Sequence, residues 1–241
     1  MPLVLPGAII LGPRASSAPS NIRQYLASIG KDSWLANWLA TSGLAPNSDG
    51  SGGAVADGGA WGCWSTFENV ASNWKFIQPT SAKRPAYTAG GASFDGLPAV
   101  YGNAASWTAY LDSATALNKD YTLLISTEMK NVTGGVISQN LSYGISVYGV
   151  ANAEPTYHYE GTAAGGNPLP KAVSSTPAGA TWLNIRRIAI SSGTGTTRYG
   201  YAPHLFSWAG SSAWSNALIR QIVFCPKLTA SECAQAIQYL V

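Results

Sequence analysis

The stretch 217–240 constrains this chain more than any other. Residues 217–224 read ALIRQIVF, a β-strand pattern. After the break Cys225-Pro226-Lys227 comes LTASECAQAIQYL. Thr229 and Glu232 stand at capping-box spacing, where each side chain can satisfy the other's orphan backbone N–H. Leu228, just before the cap, can staple onto Cys233. Cys233, Ala236, Ile237 and Leu240 then share one helical face. A β-rich chain ending in one small capped helix is a narrow class.

The β-rich part starts near residue 61. The run 121–127, YTLLIST, is apolar, and Leu141, Tyr143, Ile145 and Val147 alternate with smaller residues. Residues 182–190, WLNIRRIAI, predict a further strand, with Arg186 and Arg187 breaking clean alternation. Residues 198–202 and 218–224 complete the set. Turn signals recur between the runs, as at Gly134-Gly135, at 165–168 (GGNP), 177–179 (PAG) and 192–195 (SGTG). Many short strands so punctuated predict an all-β fold, an antiparallel β-sandwich or jelly roll. No internal repeat is present.

Before residue 61 the pattern differs. Ser20 reads as a helix N-cap, followed by the stripe Ile22, Tyr25, Leu26 and Ile29, with Gly30 as the stop. A second short helix is predicted over 33–41, with Trp34, Leu35, Trp38 and Leu39 on one side and Gly43 ending it. Residues 43–60 are glycine-rich loop. The organisation expected is an extended arm over 1–20, a helical and Gly-rich lead-in over 21–60, and a sandwich over 61–241.

The arm carries Leu3, Val4, Leu5, Ile9, Ile10 and Leu11, while Pro2, Pro6, Pro13 and Pro19 exclude regular helix. Apolar residues of this kind call for a covering surface, either the chain's own domain or another subunit. The arm is read as an assembly element. It does not read as a secretion signal, because no Lys or Arg precedes the apolar part and Pro2, Pro6 and Gly7 interrupt it. No apolar run approaches the ~18 residues of a membrane span.

Charged residues make up 10% of the chain, where about a quarter is usual. The net charge is +3 without a basic run, which argues against nucleic acid as a partner. Cys63, Cys225 and Cys233 give an odd count without metal-ligand spacing. They read as reduced, buried small hydrophobes. A Cys225–Cys233 bridge would leave Cys63 unpaired.

Several stretches, in order, resemble the concanavalin A-like lectin/glucanase superfamily in its laminin-G/pentraxin-like branch, of the kind found in tailed-bacteriophage virion proteins. They are VASNW at 70–74, Gln78-Pro79 with Arg84-Pro85-Ala86-Tyr87, FDGLPAV at 94–100 and NKDYTL at 118–123. Trp182-Leu183, RYGY at 198–201 and the closing strand and helix follow. The resemblance covers 64–241 and implies two curved antiparallel sheets. It does not imply one function, because the fold hosts lectins, glycosidases, adhesion modules and capsid parts.

Glycosidases of that superfamily use two carboxylates on one strand, in an E-x-D-x-(x)-E pattern, and this chain has no such pattern. Glu154 and Glu160 share strand parity but would stand about 20 Å apart at roughly 3.3 Å per residue, too far for a retaining pair. His158 and His204, the chain's two histidines, read as surface or half-buried aromatics, with no nucleophile elbow near either. No catalytic residue, metal site or cofactor is expected. Calcium is the metal the resemblance implies. Asp49, Asp57, Asp95, Asp112 and Asp120 are available for it, none in a calcium-loop pattern.

Sugar recognition often sets a flat aromatic against the apolar face of a ring. Three groups could serve: Trp61 with Trp64, Tyr157 with Tyr159, and Trp208 with Trp214 around the loop 209–212. These six are the ligand-binding candidates, and each could equally be packing. The reading that results is a non-enzymatic structural virion protein, a head decoration, tail or fibre component. Its partners are other virion subunits or further copies of itself, and it is made in the host cytoplasm without a signal peptide. The alternative is a lectin-like module for host-surface glycan; a glycoside hydrolase ranks below both.

Overall fold

The computed structural model describes residues 18–66, 68–69, 74–90, 96–102, 109–111, 120–129, 134–138, 145–149, 157–160, 167–168, 171–176, 183–191, 203–207 and 217–241. In chain order the strands are β1 (Ala36–Leu39), β2 (Leu44–Ala45), β3 (Cys63–Ser65), β4 (Glu68–Asn69), β5 (Lys75–Ile77) and β6 (Ala86–Thr88). Next come β7 (Ala99–Tyr101), β8 (Ala109–Leu111), β9 (Tyr121–Met129), β10 (Gly134–Ser138), β11 (Ile145–Gly149) and β12 (Tyr157–Glu160). The last are β13 (Asn167–Pro168), β14 (Lys171–Thr176), β15 (Leu183–Ser191), β16 (His204–Leu205) and β17 (Ala217–Pro226). Among the described residues two α-helices, α1 (Ile22–Ser28) and α2 (Ala230–Ala236), flank them.

Among the described residues the strands form two antiparallel sheets. One runs β14-β15-β9-β17-β1-β4, with β7 also on β17 and β6 on β7; the other runs β13-β12-β11-β10-β16-β8-β5-β3-β2. Mostly β structure in two antiparallel sheets, with few helices, is the level at which expectation and structure agree. These strand orders do not establish a jelly roll.

The sheets pack face to face. Trp38, Leu123, Ile125, Ile188, Ile190, Ile222 and Phe224 of the first meet Trp64, Phe76, Leu111, Ile137 and Leu205 of the second in one buried cluster. Alternation explains which side chains enter it. On β9, Tyr121, Leu123 and Ile125 point between the sheets while Leu124 points out. On β17, Ile219 and Ile222 both face inward, because the pairing with β9 shifts register between Ile219 and Gln221. A bulge of this kind exchanges the faces of the strand beyond it.

A third layer covers the outer face of the first sheet. Ile22, Tyr25 and Leu26 of α1 and Cys233 and Ala236 of α2, with Ile237 and Leu240 beyond it, pack on Leu35, Leu124, Ala189, Val223 and Cys225. The capping box of α2 forms as expected, with Glu232 Oε2 accepting from Thr229 N–H and Thr229 Oγ1 accepting from Glu232 N–H. The cap of α1 falls one residue later than expected: Asn21 accepts from Gln24 N–H, and Gln24 Oε1 accepts from Ser20. Gly30, at φ +67°, ends α1 with its N–H on Ala27 and Lys31 N–H on Leu26, a Schellman arrangement.

The second predicted helix is not formed. Residues 36–39 are β1, paired with β17 from Ala36↔Phe224 to Leu39↔Gln221. The competing period of two prevails: Trp34, Ala36, Trp38 and Ala40 face the sandwich core, and Leu35 faces the helices. An apolar segment buried on both faces does not declare its period. The segment expected as a lead-in therefore supplies β1 to one sheet and β2 to the other, and the sandwich starts well before residue 61. The arm residues Leu3, Val4, Leu5, Ile9, Ile10 and Leu11 lie outside the described residues. No helix among the described residues is long and apolar enough to cross a membrane.

Candidate functional site

The edge of β17 is divided between two strands. β1 pairs with Gln221 to Phe224, and β7 pairs with Leu218 and Ile219. Just past β1, Ala40 N–H still donates to Arg220 O, and the chain then crosses to the other sheet through Thr41, Ser42 and Gly43. β6, on the far side of β7, brings Tyr87 towards the same place. A cleft of about 360 Å³ opens there. Ala40, Leu44, Val55 and Tyr87 give it apolar walls, and Thr41, Ser42, Gly43 and Ala54 form the rest of the lining. The volume lies at the low end of the range for small-molecule sites, roughly 300–1,000 Å³.

Both rims are tied down. On one side Trp64 Nε1 donates to the carbonyls of Leu39 and Ser42, both at 3.2 Å, and Ser65 N–H donates to Gly43 O. Gly43 sits at φ +76°, where a Cβ would overlap the Ser65 carbonyl. On the other side the loop is stitched to β6 by Gly58 N–H on Tyr87 O and Tyr87 N–H on Gly59 O. Asp57 Oδ1 accepts from Ala89 N–H at 2.8 Å. Leu44, Val55 and Tyr87 are half-buried and packed against the core, so the walls are held before any ligand arrives.

The stretch Gln78-Pro79 with Arg84-Pro85-Ala86-Tyr87 is what sets Tyr87 in place. Gln78 is buried and its Oε1 accepts from Thr80 N–H, while Arg84 Nε donates to Gln78 O. Pro85 O accepts from Trp61 N–H, which locks the start of β6.

Trp61 and Trp64, candidates for a ligand face or for packing, are fully buried. Their rings meet edge-on at 5.9 Å, and Trp61 Nε1 donates to Ala86 O. They support the cleft from beneath and present no face to solvent. Each indole N–H finds a backbone carbonyl in the interior, which removes the reason for a tryptophan to stay at the surface. Tyr157 and Tyr159 lie on β12, opposite Tyr148 and Ser146 of β11. Trp208 and Trp214 lie outside the described residues, as do Glu154, Asp95 and Asp112.

His158 is on β12, and His204, half-buried on β16, has its ring 6.2 Å from that of Tyr110. The remaining aspartates have separate tasks. Asp49 accepts from Ser51 N–H, which holds its carboxyl below the usual range, and Asp120 pairs with Lys227 at 3.6 Å. Among the described residues no three His, Cys, Asp or Glu side chains come together as metal ligands. Cys63, Cys225 and Cys233 are free and buried. Burial pushes the Cys225 thiol far up, and that of Cys233 up against the opposing effect of its hydrogen bond with Ser191.

Thr41, Ser42, Leu44 and Val55 were not legible as site residues. The cleft is made by three separated segments, and its one sequence signal is the glycine-rich span that forms a rim.

No family model and no curated protein matches this chain. Solved structures of Trypanosoma rangeli sialidase are similar to it. One has 14% identity over 83% of this chain and 36% of that one, at a TM-score of 0.40. A second, in complex with 2-keto-3-deoxy-D-glycero-D-galacto-2,3-difluoro-nononic acid, has 11% identity over 84% and 32%, at 0.38. A third, in complex with the inhibitor DANA, has 14% identity over 83% and 36%, at 0.36. The chain spans about a third of the length of these proteins. These neighbours are sialidases, which are enzymes, so the expectation of a non-enzymatic protein is not carried forward. The virion and bacteriophage expectations find no support among them. A likeness at this level argues nothing about individual residues of this chain.

Proposed function

We propose that the chain is a carbohydrate-binding β-sandwich whose ligand seat is the cleft at Tyr87. The observation that carries the reading is the lining: a half-buried aromatic ring and aliphatic side chains, with the hydroxyls of Thr41 and Ser42 at the rim. A sugar ring has the same division, with C–H groups on its faces and hydroxyls around its edge. An apolar floor with a few polar groups is the general form of a small-molecule site. The rims are anchored by backbone hydrogen bonds, so little ordering entropy opposes binding.

A glycan array probed with the full chain and with Tyr87→Ala tests the reading. Saturable binding lost in the variant, with the near-UV circular dichroism retained, supports it. Binding that survives Tyr87→Ala but is lost in Trp208→Ala, Trp214→Ala or a Tyr157/Tyr159 double variant moves the seat to those aromatics. Attachment to other subunits through the apolar residues of 1–20 is a separate proposal, tested by deleting that stretch and measuring assembly.

A further inference from the structure

The cleft is lined by eight residues, and none of them carries a formal charge. Three ionisable groups of the flanking elements are turned to other tasks. Asp57, on the loop that supplies Val55, gives a carboxylate oxygen to Ala89 N–H. Arg84, near the start of β6, donates to Gln78 O, and Lys75 donates to Asp49 O. Resting on the glycan reading above, we infer that the cleft selects neutral sugars and discriminates against acidic ones such as sialic or uronic acids.

The physical reason is desolvation without compensation. A carboxylate brought against Leu44, Val55 and Tyr87 loses water and meets no cation in return. An uncharged pyranose loses only weakly held water from its C–H face, and its hydroxyls can exchange bonds with Thr41, Ser42 and the backbone of the rim. Selection of this kind is by shape and polarity, so it is insensitive to ionic strength.

Titration calorimetry on the full chain separates the possibilities. The neutral probes are lactose, maltotriose and cellotriose; the acidic probes are sialyllactose and trigalacturonic acid. Each is measured at low and high sodium chloride, on the native chain, on Tyr87→Ala and on Ala54→Trp. The last variant fills the mouth from an exposed loop position without touching the packed floor. The inference expects at least one neutral probe to bind, with an affinity changing less than about twofold with salt. Acidic probes bind about tenfold more weakly or not at all, and both variants lose binding. An acidic probe that binds as tightly as the neutral ones, and is lost in both variants, overturns the neutral-sugar inference and leaves the seat in place. Absence of binding by every probe, or binding unchanged in both variants, overturns the seat and the inference with it.

Discussion

The two buried regions on either side of the first sheet are built on different principles. Between the sheets, Trp38, Trp64, Phe76 and Phe224 pack ring against ring, with centroids 5.0 to 6.4 Å apart for Trp38–Phe76, Trp38–Phe224 and Trp64–Phe76. Their polar atoms are few and answered by backbone: Trp38 Nε1 donates to Trp64 O, and Trp64 Nε1 to Leu39 O and Ser42 O. Trp74 is the exception, its buried indole N–H having no partner among the described residues.

The helical layer outside rests on a mainly aliphatic cluster and is oriented on it by small polar groups. Thr122 Oγ1 accepts from Leu228 N–H at 2.8 Å, and Ser191 Oγ donates to Leu228 O at 2.6 Å. With its proton on Ser191, at 2.8 Å, Thr122 closes a ring that satisfies both backbone groups of the residue entering α2. Tyr25 OH reaches from α1 to Glu232 O and Gln235 Oε1, and its ring stacks on Tyr239 at 4.8 Å. The difference teaches that the aromatic core sets the total stability, while a handful of hydroxyls sets where the helices sit.

The comparison can be broken at its strongest point by Trp38→Ala. Loss of a fully buried ring that touches both sheets is expected to cost about 3–5 kcal/mol. Denaturant unfolding should then show one transition at much lower midpoint, with both regions lost together. A small loss would mean that the inter-sheet core is not the dominant region.

Thr122→Val keeps the shape but leaves Leu228 N–H buried without a partner, at about 1–3 kcal/mol. Hydrogen exchange should accelerate in α1 and α2 and remain slow in β9 and β17. Equal acceleration in both would erase the distinction between the regions. Thr229→Ala removes one half of the capping box and is expected to cost about 1 kcal/mol, read as a lowered thermal midpoint.

The mildest perturbation is of pH. Burial raises the Cys225 and Cys233 thiols above their ordinary value of 9.0, and the Tyr25 hydroxyl, with Glu232 adding to the effect, above 10.0. The folded chain therefore holds these protons at pH values where the unfolded chain has released them. Their contribution is complete below pH 9 and declines as pH rises beyond it. All three groups lie where the helical layer meets the first sheet, Cys225 on β17 and Tyr25 and Cys233 on the helices, so alkaline titration followed by exchange should loosen α1 and α2 first. An onset in the inter-sheet core would contradict the assignment.

Local patterns carried much of the fold. The capping box at Thr229 and Glu232, the stop at Gly30 and the long strands β9, β15 and β17 were legible because neighbours in sequence decide them. Residues 34–39 were misread because burial on two faces satisfies a helical period and a strand period alike, and only pairing with β17 separates them. The tryptophans at 61 and 64 were legible as important, with a ligand face and core packing both open. Whether an indole faces ligand or core depends on carbonyls 22 to 25 residues distant along the chain.

The amino-acid sequence by itself determined that this chain would be a low-charge, antiparallel β protein closed by a capped helix, since those features follow from composition and short-range periodicity. The three-layer arrangement, the bulge that turns β17 over and the cleft at Tyr87 were decided by tertiary structure alone. Each joins segments far apart in the chain, and the free energy that selects them comes from surfaces that do not exist until the sheets have met.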